Sequence, residues 1–289
     1  MRIFNRTLVI HTLALTALCL SVNVSAAKDE VLLTEIVMER DDEQRARDTQ
    51  RRPVETLSFF DVKPGMSVAE ALPGGGWYSR ILSPYLGNKG ALYGINYNDD
   101  MWGLFGFFSE ERIAQLTART NEFPGMITEF TDNGITTAGF TFATAPDDIK
   151  GTVDRVLYIR ALHNLNRFEP QAGTMTEALS LTHDLLKEDG MVGVVQHRAP
   201  EGNTDEWADG SSGYLKQSTV ISAFEAAGFE LVASSEINAN DKDKPTEEDF
   251  VWRLPPSLNG SAEDPEKRAA MQVIGESDRM TLLFRKASK

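Results

Sequence analysis

Glu70 and the glycines Gly74, Gly75 and Gly76 form the most chemically informative cluster in the chain. They belong to the stretch Met-Ser-Val-Ala-Glu-Ala-Leu-Pro-Gly-Gly-Gly-Trp-Tyr-Ser, which covers residues 66–79. Strand-forming residues are followed there by an acid, a glycine cluster and the start of a helix. Glycines at such a turn let the backbone approach a ligand closely, and the new helix offers unpaired N–H groups. The stretch therefore predicts a turn that binds a nucleotide-like cofactor.

Each member of this cluster also has a structural alternative to ligand binding. Gly74 and Gly76 could form the floor of a cofactor site, or they could form a packing turn without a ligand. Glu70 could bind a polar group of the cofactor or cap the following helix, and a buried carboxylate needs a partner in both cases. Trp77 and Tyr78 could cover a cationic ligand with their aromatic faces, or simply pack the helix on the sheet.

Two histidines are the candidates for acid–base chemistry. The apolar run 153–159 predicts a central strand with His163 shortly after it, and 191–195 predicts the next strand with His197 after it. Ligands bind at the carboxyl ends of the strands in an open α/β sheet, so we expect both imidazoles to face one crevice. A neutral imidazole can take a proton from a substrate, and the alternative for each is a hydrogen bond within a loop.

Arg160 and Asn164 flank the first of these histidines and could orient a substrate or bind its anionic group. A metal site built from His163, His197 and a carboxylate is a further possibility. The chain has no ligand spacing of the His-Glu-x-x-His kind, so we predict no metal site.

The elements that must position these residues alternate along the chain. Strands are predicted at 66–71, 91–96, 153–159, 191–195, 229–235 and 279–285, with one more inside 126–142. Helices are predicted at 29–49, from Pro53 onward, and at 77–86, 109–119, 171–187 and 217–227. This alternation predicts an α/β fold with a doubly wound, seven-stranded, mostly parallel sheet.

The first 26 residues have the pattern of a secretory signal peptide. Arg2 and Arg6 precede an apolar run, and small residues follow it up to Ala26. An uncleaved anchor is the alternative, although the run is short for a membrane span. We therefore expect a periplasmic or secreted protein with an N-terminal helical extension at 27–52 and one domain at 53–289. A polar insertion at 238–278 interrupts that domain, as a lid, a partner surface or a flexible loop.

The expected mature chain is acidic and contains no cysteine. The formal net charge is −14 for 289 residues, and removal of the signal, which holds two arginines and no acid, makes it about −16. Cys19 is the one cysteine of the sequence and lies in the signal, so disulfides and thiol chemistry are excluded. An acidic surface argues against nucleic acid or an anionic membrane as partner. A small-molecule substrate is expected instead, and nothing in the sequence indicates an oligomeric state.

The chain resembles the class I S-adenosylmethionine-dependent methyltransferases, and among them an exported bacterial branch. The resemblance covers roughly residues 45–287 and rests first on Glu-x-x-Pro-Gly-Gly-Gly-Trp-Tyr at 70–78. Later blocks follow in the same order: Arg160-Ala-Leu-His-Asn164, Val195-Gln-His-Arg198, Ser235-Glu-Ile-Asn-Ala-Asn240 and Trp252-Arg-Leu-Pro-Pro256.

This resemblance implies that the last strand is antiparallel, that the cofactor is S-adenosylmethionine and that a small acceptor is methylated. The implied cofactor-binding residues are Glu70, Pro73, Gly74, Gly75, Gly76, Trp77 and Asn96, and the catalytic candidates are His163, as base, Asn164 and His197. Two positions depart from the wider pattern. Leu72 replaces a usual glycine, and Asn96 replaces the acid that accepts hydrogen bonds from the ribose. The alternative is a non-catalytic descendant that binds a small molecule or a partner in the same crevice. A third hypothesis is a metal-assisted hydrolase.

Overall fold

A seven-stranded sheet forms the centre of the protein. The computed structural model describes residues 27–288, and the predicted signal peptide lies outside them. The strands are β1 (Ser67–Ala71), β2 (Ala91–Asn96), β3 (Thr136–Thr141), β4 (Val153–Ile159), β5 (Leu186–Ala199), β7 (Phe229–Ser235) and β8 (Arg279–Lys286), with the short β6 (Leu215–Lys216) paired to β5. Their order is β3-β2-β1-β4-β5-β8-β7. Only β8 runs antiparallel to its two neighbours in this sheet. The predicted α/β fold with an antiparallel last strand is confirmed.

Helices cover both faces of this sheet. They are α1 (27–39), α2 (Asp42–Arg45), α3 (Asp48–Arg51), α4 (Pro53–Phe59), α5 (Ser79–Leu86), α6 (Met101–Leu104), α7 (Glu110–Phe130), α8 (Leu162–Arg167), α9 (Glu169–Ala172), α10 (Thr174–Leu185), α11 (Gln217–Ala226) and α12 (Pro265–Ile274). Among residues 27–288, none of these helices combines the length and hydropathy needed to span a membrane.

The N-terminal segment folds as three helices where the sequence predicted one helix over 29–49. The Asp41 side chain accepts a hydrogen bond from the backbone N–H of Gln44 and so starts α2. Arg52 then adopts a left-handed backbone with φ 41° and separates α3 from α4. These breaks turn the chain over the carboxyl ends of the central strands, so Arg40, Arg47 and Arg51 face the space above the sheet.

Helix α7 is much longer than the predicted helix at 109–119. The helix contains Pro124, which lacks the N–H that a helix interior uses. The helix nevertheless continues to Phe130, since Phe123 and Ile127 are buried against the sheet. A β-carbon at Gly94 would lie 2.5 Å from the Phe123 ring, so the glycine permits this close packing.

Strand β5 extends beyond the predicted 191–195 and reaches Ala199. The prediction that His197 follows the strand is therefore wrong, because His197 lies within β5 and pairs with Arg279 of β8. The antiparallel neighbour β8 supplies backbone partners over 191–197 and so keeps the chain extended there.

The polar segment 238–278 is anchored on the domain by a buried cluster. The fully buried carboxylate of Asp243 accepts hydrogen bonds from the Tyr214 hydroxyl at 2.9 Å and from Arg253 at 3.1 Å. Trp252 packs against the buried cluster that contains Tyr214 and Val251, and its ring centroid lies 5.8 Å from that of His163. The cluster thereby places residues 251–257 over the carboxyl ends of the central strands.

Candidate active site

The turn after β1 has an unusual backbone. Leu72 has φ 55° and Gly74 has φ 59°, both in the left-handed region. Glycine enters that region freely, whereas a leucine there is strained by on the order of 1–3 kcal/mol. The Leu72 N–H donates to Ile95 O at 2.7 Å, which helps to hold the conformation. Leu72, which stands where a glycine is usual, therefore keeps the left-handed backbone of the turn, and this conformation is strained.

Gly75 leaves open space at this turn. A β-carbon built on Gly75 would meet no atom within 4 Å, and its φ is not in the left-handed region. Leu72, Pro73, Gly74 and Gly75 line two cavities, one on each side of the turn. The hollow beside the glycines is therefore not filled by bulky side chains.

The first cavity, here called the aromatic cavity, has a volume of about 690 Å³. Its lining contains the turn, the end of β2 and one side of α7: Leu72, Pro73, Gly74, Gly75, Gly94, Asn96, Tyr97, Trp102, Arg119, Thr120, Asn121, Glu122, Phe123, Gly125, Met126 and Glu129. The indole Nε1 of Trp102 is buried and has no hydrogen-bond partner in the described part of the chain. Such a donor is suited to an acceptor atom of a bound ligand.

The second cavity, here called the arginine cavity, has a volume of about 720 Å³. It lies between the turn, the ends of β4 and β5, the N-terminal helices and the segment 251–257: its lining is Arg40, Asp41, Glu43, Gln44, Arg47, Arg51, Leu72, Pro73, Gly74, Gly75, Trp77, Arg80, Ile159, Arg160, His163, His197, Val251, Trp252, Leu254, Pro255, Pro256, Ser257, Glu276 and Ser277. Both volumes are in the range of small-molecule sites.

Glu70 lies beneath the turn rather than on the wall of either cavity. Its side chain is 3% exposed and accepts a hydrogen bond from the Ser79 hydroxyl at 2.5 Å, at the start of α5. Burial raises the pKa of Glu70 to about 7, and the Ser79 hydrogen bond and the charge of Arg160 oppose the rise. Glu70 therefore lines neither cavity, and it does not cap α5 either, because no side chain among residues 27–288 accepts a hydrogen bond from the backbone N–H groups at the start of that helix.

Gly76 and Trp77 also differ from the roles that the sequence predicted. A β-carbon at Gly76 would lie 2.7 Å from the Phe130 ring, so this glycine serves packing of the turn on α7. Trp77 lines the arginine cavity, but the guanidinium carbons of Arg51 and Arg40 lie 4.6 and 5.1 Å from its ring centroid. The aromatic surface predicted to face a cationic ligand is therefore occupied by arginines of the protein.

The two amide candidates are engaged within the protein. Asn96 donates from Nδ2 to Thr120 Oγ1 at 3.0 Å and to Leu116 O at 3.3 Å, and its Oδ1 accepts from the Tyr97 N–H. Asn164 does not line either cavity, and its hydrogen bond to the Tyr97 hydroxyl opposes the rise in the pKa of Tyr97 that burial causes. Asn96 is thus at the edge of the aromatic cavity, and Asn164 is turned away.

The structure brings the two predicted histidines together. His163 in α8 and His197 in β5 both line the arginine cavity, with 5.6 Å between their ring centroids. His197 Nδ1 shares a hydrogen bond of 2.5 Å with the Ser277 hydroxyl, whereas the buried Nδ1 of His163 has no partner within residues 27–288. Burial lowers the pKa of His163 to about 4, with the Gln196 side chain opposing the shift and the charge of Arg160 adding to it, and burial lowers the pKa of His197 well below its usual value. Both rings are neutral at pH 7.

Arginines of the N-terminal helices are the feature that the sequence analysis missed. Arg51 Nε lies 3.1 Å from Glu276 Oε1, and Arg279 Nη1 lies 2.9 Å from Glu276 Oε2, so two guanidiniums share one carboxylate. Arg160, at the end of β4, has φ 59° and a buried Nε without a partner among the described residues. Burial lowers the pKa of Arg160 to about 10, and the nearby charge of Arg51 adds to this effect. The cavity therefore carries excess positive charge in an acidic protein.

A three-ligand metal site is not found among residues 27–288, since no three His, Cys, Asp or Glu side chains come together there. The two histidines approach each other without a carboxylate at the same point. Their surroundings are arginines, Trp252 and Ser277 instead.

Comparison with known proteins identifies the fold. No family model matches the chain. No curated protein matches it either. Among solved structures, the chain is similar to the [4+2]-cyclase SpnF. The similarity covers 92% of this chain and 96% of SpnF, at 15% identity and a TM-score of 0.51. A SAM-dependent methyltransferase from Aquifex aeolicus covers 71% of this chain and 93% of its own, at 17% identity and TM-score 0.43.

A third similar structure is the Burkholderia thailandensis 1,6-didemethyltoxoflavin-N1-methyltransferase, described with bound S-adenosylhomocysteine. It covers 89% of this chain and 88% of its own, at 11% identity and TM-score 0.44. At 15% identity, the similarity to SpnF establishes the fold alone, an α/β fold with a mostly parallel sheet. The fold alone does not decide the reaction, because SpnF shares it and is named a cyclase.

Proposed function

We propose that the protein is an S-adenosylmethionine-dependent methyltransferase that acts on a small acceptor. The observation that carries this proposal is the open turn at 72–75, which forms the wall between the two cavities. The space beside Gly75 would be filled by any side chain there, and it lies at the carboxyl end of β1, where ligands bind in open α/β sheets. The methyltransferase-like fold and the sequence motif at 70–78 support the same assignment.

The residues of the aromatic cavity fit the adenosyl part of this cofactor. Tyr97 and Trp102 offer aromatic surface, and the unpartnered Nε1 of Trp102 offers a hydrogen bond. When bound, the cofactor supplies an electrophilic methyl group, which an acceptor oxygen or nitrogen takes with loss of a proton.

The arginine cavity then holds the acceptor. His163 is neutral at pH 7, so its free Nδ1 can accept a hydrogen bond from a hydroxyl or amine of the acceptor. A pKa of about 4 makes this imidazole a weak base, because proton transfer is most efficient when the pKa is near the working pH. We therefore assign His163 to orientation of the acceptor, and to removal of its proton only when a bound negative charge raises the pKa. Asn164, which faces away, has no part in this step.

A binding protein without methyl transfer is the second candidate, and one observation favours it. The hydrogen-bonding groups of Asn96 are all engaged with α7 and the local backbone, so the position that would bind the ribose provides no carboxylate. Consumption of S-adenosylmethionine in the presence of cell extract separates the two functions. We also propose that the protein acts in the periplasm or outside the cell, a proposal that rests on the sequence pattern of residues 1–26.

Calorimetric titration with S-adenosylmethionine and S-adenosylhomocysteine tests the proposal. We expect dissociation constants in the micromolar range for the protein, and a loss of at least about tenfold in Gly75→Val, which fills the hollow without backbone strain. Gly202→Val is the matched control, because Gly202 is exposed, lacks a positive φ and has equally open space. Absence of heat at millimolar ligand, or equal weakening in both variants, would contradict the proposal.

A further inference from the structure

Four guanidinium groups crowd one carboxylate in the arginine cavity. Arg51 and Arg279 both bind Glu276. Arg47 and Arg160 lie near enough to interact electrostatically with the same glutamate and with Arg51. Glu276 can balance only one of the four charges, so the group has an excess of positive charge.

The remaining charges of the cavity do not offset this excess. Arg40 is already paired with both carboxylate oxygens of Asp48, at 2.7 and 2.6 Å. Asp41 and Glu43 line the cavity at exposed positions, where solvent screens their charge. Neither Arg47 nor Arg160 makes a side-chain ion pair within the described residues. Arg160 does lie close enough to the buried Glu70 carboxyl for its charge to oppose the rise in the pKa of that group.

Arg160 is held in place at a cost. Its backbone lies in the left-handed region at φ 59°, and its N–H donates to Val195 O at 2.6 Å. Its Nε is buried without a hydrogen bond among residues 27–288. A buried, unpaired charge and a strained backbone at one residue of a cavity are typical of a site that binds a ligand of opposite charge.

Resting on the proposed function, we propose that the methyl acceptor carries an oxyanion, a carboxylate or a phosphate, and that Arg160 and Arg47 bind it in the arginine cavity. Guanidinium groups bind both kinds of oxyanion through paired N–H donors. The cofactor itself is a net cation, so the same charges disfavour its sulfonium there and leave it to the aromatic cavity. An acceptor bound by these arginines lies beside His163 and His197, whose rings line the same space.

Titration of the purified protein with inorganic phosphate and with acetate, at low and matched ionic strength, tests the proposal. We expect saturable binding of at least one of the two anions, with chloride much weaker. Arg160→Gln and Arg47→Gln should each weaken it by at least about tenfold, because a charge-assisted hydrogen bond is lost. Arg268→Gln, at an exposed position of α12, is the matched control and should bind as the unaltered protein does. Phosphate binding without acetate binding assigns a phosphorylated acceptor, and the reverse assigns a carboxylate.

S-adenosylhomocysteine titration of the same variants separates this proposal from the proposed function. Arg160→Gln should leave the affinity for S-adenosylhomocysteine within about twofold. If a variant lost binding of S-adenosylhomocysteine together with binding of the anion, the arginines would bind the carboxylate of the cofactor. That result would overturn the proposal. No anion binding above that of chloride, or equal weakening in Arg268→Gln, would overturn it as well. If the protein binds anions but not S-adenosylhomocysteine, the result supports the anion site and contradicts the proposed methyltransferase function.

Discussion

Replacing Glu70 by glutamine should make the protein more stable, and the gain should depend on pH. The Glu70 carboxyl is 3% exposed beneath the turn, and its one hydrogen-bond donor is the Ser79 hydroxyl. Burial raises its pKa from 4.5 to about 7 because the charged form loses its hydration. A glutamine keeps an oxygen that can accept from Ser79, and it cannot ionise.

The size of the effect follows from proton linkage. A carboxyl with a raised pKa in the folded state favours the protonated form, so its contribution to stability is complete below pH 4.5. The contribution is lost as the pH rises from 4.5 to 7, at about 1.4 kcal/mol per pH unit, and stays constant above pH 7. The full loss is on the order of 3 kcal/mol, and Glu70→Gln should avoid it.

Urea unfolding at several pH values between 5.5 and 8.5 measures this difference. We expect the free energy of unfolding of Glu70→Gln to exceed that of the unaltered protein by a margin that grows by about 2 kcal/mol up to pH 7 and then stays level. Glu225→Gln is the control, because the Glu225 side chain is exposed, and its margin should stay within about 0.5 kcal/mol at every pH. A margin for Glu70→Gln that does not change with pH would show that the pKa of the Glu70 carboxyl is not raised in the folded protein.

Two further stability predictions follow from other buried charges. Arg160→Gln should raise the free energy of unfolding at pH 7 by on the order of 1–3 kcal/mol, since the guanidinium is buried without a full partner and its pKa is lowered to about 10; a decrease in urea unfolding would contradict this. Asp243→Asn should lower it by about 1.5–3 kcal/mol, because the charge-assisted hydrogen bonds from Tyr214 and Arg253 are weakened while Arg253 keeps its ion pair with Asp249. A loss below about 1 kcal/mol would show that the cluster does not anchor the segment.

Strands could be predicted best where a buried strand has a continuous run of apolar residues. The bounds of β2 and β4, which are almost wholly buried, agree with the predictions, and so do those of the more exposed β7. The length of helix α7 was underestimated, since the local sequence pattern cannot include the burial of Phe123 and Ile127 against the sheet. Tertiary packing decided the length of that helix.

Only part of the candidate site could be predicted, because some of its residues are far apart in the sequence. His163 and His197 meet because both lie at the carboxyl ends of neighbouring strands, which the strand pattern indicates. The charge of the arginine cavity depends on the pairing of Arg51 with Glu276. These residues are 225 positions apart, and no local sequence pattern predicts such a pair. Leu72 offered a usable signal, because a side chain at a position where glycine is usual marks a strained turn.

Amide hydrogen exchange with and without S-adenosylhomocysteine tests whether the glycine turn binds the cofactor. We expect the ligand to slow exchange in the turn 72–75 and at 96–102, which border the aromatic cavity, and to leave α12 unchanged. Slowing that is absent from the turn, or confined to other parts of the protein, would contradict the claim that the glycine turn binds the cofactor.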